Sequence, residues 1–332
     1  MSSTRVLLTG GAGFIGSHLA EALLQHGYRL SIIDNLDDFY DPERKRENLR
    51  QVRRAGEYEF FELDICEPAS LREAMHKAQP DIVVHLAARA GVRPSIEQPS
   101  LYERVNVAGT VNLLEAARQF GVKRLIFGSS SSVYGASNHV PFSEDDLVLR
   151  PISPYAATKL AAELICYTYA SLYGMESLCL RFFTVYGPRQ RPDLAIHKFT
   201  ALMEAGKPIP VFGDGSMGRD YTYVDDIVAG VLSAIEYHFP PATVPFDTFN
   251  LGNSHPVLLR ELIKHLELAT GRTALRENKP LQPGDVPRTW ANIDKASRLL
   301  GYRPQTRIED GLKKFVAWYR GNNHTPLRAI AS

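Results

Sequence analysis

Three glycines at fixed spacing constrain this chain more than any other feature. They stand in Thr9-Gly10-Gly11-Ala12-Gly13-Phe14-Ile15-Gly16, directly after the apolar run Arg5–Thr9. That run reads as a buried strand. Behind the turn, Phe14, Ile15, Leu19, Leu23 and Leu24 recur at helical spacing, and Gly27 is placed to end the helix. A strand that turns so tightly into a helix needs residues without Cβ. Gly10 allows the turn, Gly13 lets backbone approach a pyrophosphate, and Gly16 lets helix pack on strand. The helix N-terminus then offers its partial positive charge to the phosphates. The next strand, Leu30–Asp34, ends in a carboxylate. Asp34 can accept both hydroxyls of an adenosine ribose and repels a 2′-phosphate, so the expected cofactor is NAD rather than NADP.

Apolar runs at Phe60–Leu63, Ile82–Leu86 and Leu125–Phe127 read as further strands, with helical stretches at Ala69–Lys77 and Leu101–Phe120 between them. This alternation predicts a Rossmann-type, doubly wound parallel α/β sheet over residues 1–183. From Thr184 the pattern is broken by Gly187-Pro188, Lys207-Pro208 and Gly213-Asp214-Gly215. Residues 184–332 read as a smaller α/β substrate lobe, with returns to the large lobe near 223–251. Short helices are expected at His197–Ala205, Asp225–Tyr237, Leu258–Thr270 and Ile308–Tyr319. Arg44-Lys45-Arg46 reads as a solvated charged face.

The 332 residues carry 38 Lys plus Arg against 37 Asp plus Glu. This balance argues against a nucleic-acid partner or a charged membrane surface. No apolar run is long enough to cross a bilayer, and no signal-peptide pattern is visible. The three cysteines, Cys66, Cys166 and Cys179, make neither a zinc pattern nor a disulfide framework, so a cytoplasmic location is expected. The histidines lack ligand spacing, and no metal is predicted.

The chemistry lies in Ser153-Pro154-Tyr155-Ala156-Ala157-Thr158-Lys159. Ser153 suits an N-cap, Pro154 the first helical position and Gly174 the stop. Tyr155 and Lys159, four residues apart, share one helix face. An ammonium near a phenol favours the phenolate, and a phenol tuned toward neutrality is a competent base for an alcohol proton. The fifth strand runs into Gly128-Ser129-Ser130-Ser131-Ser132-Val133-Tyr134-Gly135, at the strand end where ligands of parallel sheets bind. The hydroxyls of Ser130 and Ser132 can bind the reacting oxygen there.

These three segments together resemble the extended short-chain dehydrogenases/reductases of the nucleotide-sugar epimerase and dehydratase family. The resemblance spans nearly the whole chain. It implies NAD held by Gly10, Gly13, Phe14, Ile15, Gly16, Asp34, Asn35, Leu86, Ala87, Ala88, Asn106, Tyr155, Lys159, Phe182 and Phe183, with Asp64 and Ile65 flanking the adenine. It implies a UDP-sugar held in the second lobe by Val211, Phe212, Arg219 (on the pyrophosphate) and Asp285 (on the uridine ribose). An always-charged planar donor such as Arg219 suits phosphate. A homodimer is also implied, with Tyr167, Tyr169 and Leu172 available to it.

By the same resemblance, Tyr155 takes the proton of the sugar 4-hydroxyl while NAD takes hydride from C4. Family dehydratases carry an Asp-Glu pair where this chain has Ser131 and Ser132, and UDP-xylose-forming decarboxylases carry Glu at the Ser132 place. Lacking them, the chain is expected to be an isomerase that inverts C4. Phe183–Asp193, Ala90–Arg93 and Gln282–Pro287 resemble the members that act on UDP-glucuronate. The uronate carboxylate needs a charged partner: Arg191 is the first choice and Arg93 the second, with Thr184 and the serines as hydroxyl donors. The alternatives are a UDP-glucose/galactose or UDP-N-acetylhexosamine 4-epimerase, then a nucleotide-sugar dehydratase or decarboxylase.

Overall fold

A computed structural model describes residues 4–137, 139–147, 150–280 and 286–322. The chain opens with β1 (Arg5–Thr9), α1 (Phe14–Gln25), β2 (Arg29–Asp34), α2 (Pro42–Ala55), β3 (Tyr58–Glu62), α3 (Pro68–Ala78) and β4 (Ile82–His85). Then come α4 (Val92–Glu97), α5 (Pro99–Glu103), a π-helical turn (Arg104–Ala108), α6 (Gly109–Gln119) and β5 (Arg124–Ser130). The long helix α7 (Pro154–Tyr173) leads into β6 (Glu176–Phe182). The remainder is β7 (Thr184–Tyr186), α8 (Ala195–Glu204), β8 (Ile209–Phe212), β9 (Gly218–Tyr223), α9 (Val224–Ile235), β10 (Phe246–Leu251), β11 (Pro256–Leu258), α10 (Leu259–Thr270), β12 (Arg276–Lys279), α11 (Asp294–Leu299) and α12 (Ile308–Asn322).

The main sheet has the order β10-β6-β5-β4-β1-β2-β3, parallel throughout. The period of two along each strand divides its core. Val6, Leu8, Ile32 and Ile126 face α1, α2 and α9, while Leu7, Ile33, Val83 and Leu125 face α3, α6 and α7. Each such side chain, wholly withdrawn from water, stabilises the fold by about 1.5–3 kcal/mol. β10 pairs with β6, and α9 packs on α1. The remaining strands form two small sheets, β11-β9-β7 and β12-β8.

Two expectations need correction. The stretch Leu101–Phe120 is not one regular helix, because the π turn at Arg104–Ala108 separates α5 from α6. Asn106 lies in that turn. It accepts from the Arg89 N–H at 2.8 Å and donates to the Arg89 carbonyl at 3.0 Å, so the irregularity fixes the loop after β4. Second, the charged run is not simply a solvated face. It belongs to α2, and Lys45 on it is buried against Asp34, Nζ to Oδ1 3.7 Å. Its periodicity is masked because the one cation that faces inward looks, in sequence, like its exposed neighbours.

Candidate active site

A cleft of about 530 Å³ opens along the carboxyl ends of β1, β2, β4, β5 and β6, spanning the β1/β4 junction where the strand order reverses. Gly10, Gly13, Phe14, Ile15, Gly16, Asp34, Asn35, Asp64, Ile65, Leu86, Ala87, Ala88 and Phe182 all line it. Asn106 acts one step behind, through Arg89.

The glycine turn has no room for side chains. Gly10 adopts φ +74°, and a Cβ there would lie 2.7 Å from the Ala87 nitrogen. A Cβ on Gly16 would lie 2.1 Å from the Gly10 carbonyl oxygen. No side chain caps α1, so its first N–H groups remain open to an anion. Asp34 is 7% exposed; its carboxylate accepts from the Ala12 N–H at 3.1 Å and the Leu36 N–H at 2.9 Å. Burial pushes its carboxyl up, and Lys45 works against that by favouring the anion. A carboxylate has further lone pairs for ribose hydroxyls. Glycine cradle, open helix terminus and ribose-height carboxylate together fit a dinucleotide.

The chemical end is set by α7. Ser153 caps it by accepting from the Ala156 N–H at 3.1 Å, and Gly174 closes it at φ +66°. Tyr155 and Lys159 both line the cleft, beside Ser130 and Ser132. The Ser130 hydroxyl lies 3.1 Å from that of Ser132 and can donate to it. Burial pushes the Tyr155 phenol up, while hydrogen bonding with Ser130 and the charge of Arg191 pull it down. Lys159 stands one turn further along α7. Its ammonium donates to the Gly128 carbonyl at 2.7 Å, and burial lowers it to about 8. Thr184 and Arg191 complete this end. The carboxylates lining the cleft are Asp34, Asp37 and Asp64, beyond β2 and β3. By strand spacing, β2 is about 14 Å from β5, so these acids serve the far end of the cleft.

Against known proteins, the family described as GDP-mannose 4,6 dehydratase matches residues 7–315. A UDP-glucuronate 4-epimerase of Thermodesulfobacterium geofontis is 42% identical over 317 residues, 95% of this chain and 96% of that protein. The crystal structure of a UDP-glucuronic acid 4-epimerase from Bacillus cereus, in complex with UDP-glucuronic acid and NAD, is 36% identical with a TM-score of 0.89, covering 96% of this chain and 99% of that one. A UDP-glucose 4-epimerase of Thermotoga maritima, solved with UDP-glucose, is 34% identical with a TM-score of 0.87, covering 95% and 98%. The chain belongs to the NAD-dependent epimerase/dehydratase family of extended short-chain dehydrogenases/reductases.

Within this family fold, the residues expected to hold the nucleotide are spread over the smaller sheets. Val211 and Phe212 end β8, and Arg219 lies on β9 with Nη1 donating to the Gly218 carbonyl at 2.9 Å. The Arg93 guanidinium stacks 5.2 Å over the Phe212 ring. These four residues do not line the cleft itself. Asp285 lies outside the described residues.

Sequence reasoning passed over several groups that hold the site. Glu163, one turn beyond Lys159, pairs with Arg181 at 2.8 Å and accepts from Ser129 at 2.5 Å. The Ser129 hydroxyl, on a residue that lines the cleft, is thereby committed to Glu163. Arg191 is already engaged with Asp193, and Arg189 with Glu21 at 2.7 Å. A Glu in step with Tyr155 and Lys159 at four-residue intervals was the available signal for Glu163. No local pattern announces Arg181, which arrives from β6. Among the described residues no group of His, Cys, Asp and Glu could hold a metal, and no helix is long and apolar enough to cross a membrane.

Proposed function

We propose that this protein is an NAD-dependent UDP-sugar 4-epimerase that interconverts UDP-glucuronate and UDP-galacturonate through a 4-keto sugar. The observation that carries the reading is the meeting, in one cleft, of a half-buried phenol (Tyr155), the Ser130 hydroxyl and the guanidinium of Arg191. The Gly10–Gly16 turn, Asp34, Asn35, Asp64, Ile65, Leu86, Ala87, Ala88, Phe182 and, through Arg89, Asn106 would hold NAD. When bound, NAD supplies a hydride acceptor at C4 that can give the hydride back, so that no net oxidation occurs.

Tyr155 accepts the proton of the sugar 4-hydroxyl and later returns it; a phenol with hydroxyl partners Ser130 and Ser132 can share that proton along a short chain. Lys159 places a cation at the floor of the same end. Arg191, with Thr184, takes the uronate carboxylate in a charge-assisted contact, and Arg93 is the alternative. Val211, Phe212, Arg219 and Asp285 take the UDP. Residues 1–183, with the returns near 223–251, form the cofactor lobe in this reading, and 184–332 the nucleotide-sugar lobe. The missing carboxylate beside Tyr155 favours epimerisation over elimination, because the serines at 131 and 132 are poor general bases at neutral pH. A homodimer fits Tyr167 and Leu172, 46% and 71% exposed on α7, whereas Tyr169 is committed to Glu115 at 2.5 Å. The free thiols of Cys66, Cys166 and Cys179 fit a cytoplasmic location.

The test is a product assay on purified protein without added NAD, given UDP-glucuronate and UDP-glucose separately. UDP-galacturonate from the first is expected. Turnover of UDP-glucose alone would move the assignment to a neutral hexose, and release of water or carbon dioxide as the main outcome would move it to a dehydratase or decarboxylase.

A further inference from the structure

The loop that brings Arg191 to the cleft is a built turn. Pro192 occupies its second position, and the Leu194 N–H donates to the Arg191 carbonyl at 3.3 Å, immediately before α8. Proline presets the backbone for this place in a β-turn. The turn folds Asp193 back onto Arg191 as a two-point fork: Nε to Oδ1 is 3.0 Å and Nη2 to Oδ2 is 2.7 Å. The Phe39 ring, from the loop after β2, lies 5.2 Å from the same guanidinium. Arg191 lines the cleft, and Asp193 does not.

We propose that Asp193 is a positioning residue that aims Arg191 at the reacting sugar and so sets the preference for a uronate over a neutral hexose. The proposal rests on the uronate reading above. The fork uses the Nε–Nη2 edge of the guanidinium and leaves Nη1 outside the pair, on a side chain whose plane the fork and Phe39 together hold. An arginine has many rotamers, and a carboxylate ligand gains only from those that present the right edge. A fixed fork removes most of the others before substrate arrives. It also balances charge: with Asp193 in place the pair is neutral, so the cleft is not a general anion trap. The titratable groups in electrostatic reach of the pair include Tyr155, Tyr40, Tyr102 and His197.

The experiment is a double-mutant cycle on the full-length protein as purified, with D193A, R191A and D193A/R191A. Steady-state kinetics with UDP-glucuronate is read beside calorimetric affinity for UDP. D193A should raise the KM for UDP-glucuronate about tenfold, leaving UDP affinity within about twofold. The double variant should match R191A alone, because Asp193 acts only through Arg191. D193N, which keeps the shape and one acceptor, should fall between wild type and D193A. Additive losses in the double variant, or an equal loss of UDP affinity, would overturn the aiming role, since a merely structural aspartate would produce them. Wild-type protein that turned over UDP-glucose but no UDP-glucuronate would instead overturn the uronate reading, and this proposal with it.

Discussion

The Lys159 ammonium donates to the Gly128 carbonyl at 2.7 Å, tying the second turn of α7 to the end of β5. It also lies 4.7 Å over the Phe127 ring. One turn further along α7, Glu163 pairs with Arg181 of β6, whose Nη1 donates to the Tyr134 hydroxyl at 3.0 Å. The helix that carries the phenol and the strand that carries the serines are therefore locked by buried charge-assisted contacts, each worth more than a surface pair because little water competes. Such a frame holds Tyr155 and Ser130 in register before any ligand binds.

Tyr155→Phe removes the proton acceptor without changing the packing of the ring, which meets Tyr102 edge-on at 6.2 Å. Turnover should fall by about 10²–10⁴-fold, the usual worth of a positioned acid or base. UDP-sugar affinity should stay near wild type. Retained turnover in this variant, measured with an enzyme-coupled product assay, would remove the phenol from the reaction.

Gly16→Ala should destroy cofactor retention. Its Cβ would lie 2.1 Å from the Gly10 carbonyl oxygen, so the turn must open and the helix must back away from β1. NAD released on acid treatment of the purified variant should be well below one per chain. Gly27→Ala is the control. Nothing approaches a Cβ there, and the cost is limited to the left-handed φ of +79°. The control should keep its NAD with a modest loss of stability of about 1 kcal/mol. Equal cofactor content in both variants would contradict the close-packing account.

Acid should destabilise the fold through buried neutral histidines. Burial holds His85 down to about 3 and His197 down to about 4. The unfolded imidazole titrates near 6.5, so below that pH the unfolded chain binds protons that the folded chain refuses. Stability is fully present above pH ~6.5 and is lost as pH falls toward these lowered values, by up to about 2 kcal/mol per histidine at pH 5. Urea unfolding at pH 7.5 and pH 5 measures the loss. His197 Nδ1 lies 2.7 Å from the Gln190 carbonyl, and His197→Asn keeps a donor there without a titrating ring. That variant should lose correspondingly less between the two pH values. An unchanged pH dependence would mean that His197 is protonated in the fold.

Much of this architecture can be read along the chain because its signals are local. The strand–glycine–helix opening, the Asp34 strand end, the capped helix with Tyr155 and Lys159, and the serine run after β5 all depend on spacings of a few residues. The π turn that places Asn106 carries no comparable signal. Neither does the inward face of α2, where one lysine of a charged run finds Asp34.

By itself, then, the sequence determined the fold class, the glycine cradle, the helix carrying the phenol and the kind of chemistry, because periodicity, caps and sterics act within a turn or a strand. Tertiary structure alone decided which charges meet. Arg191 is forked by Asp193, Glu163 is matched with Arg181, and Lys45 is sunk against Asp34. Electrostatic interaction depends on distance and burial in space, and those are set only when segments far apart in the chain pack together.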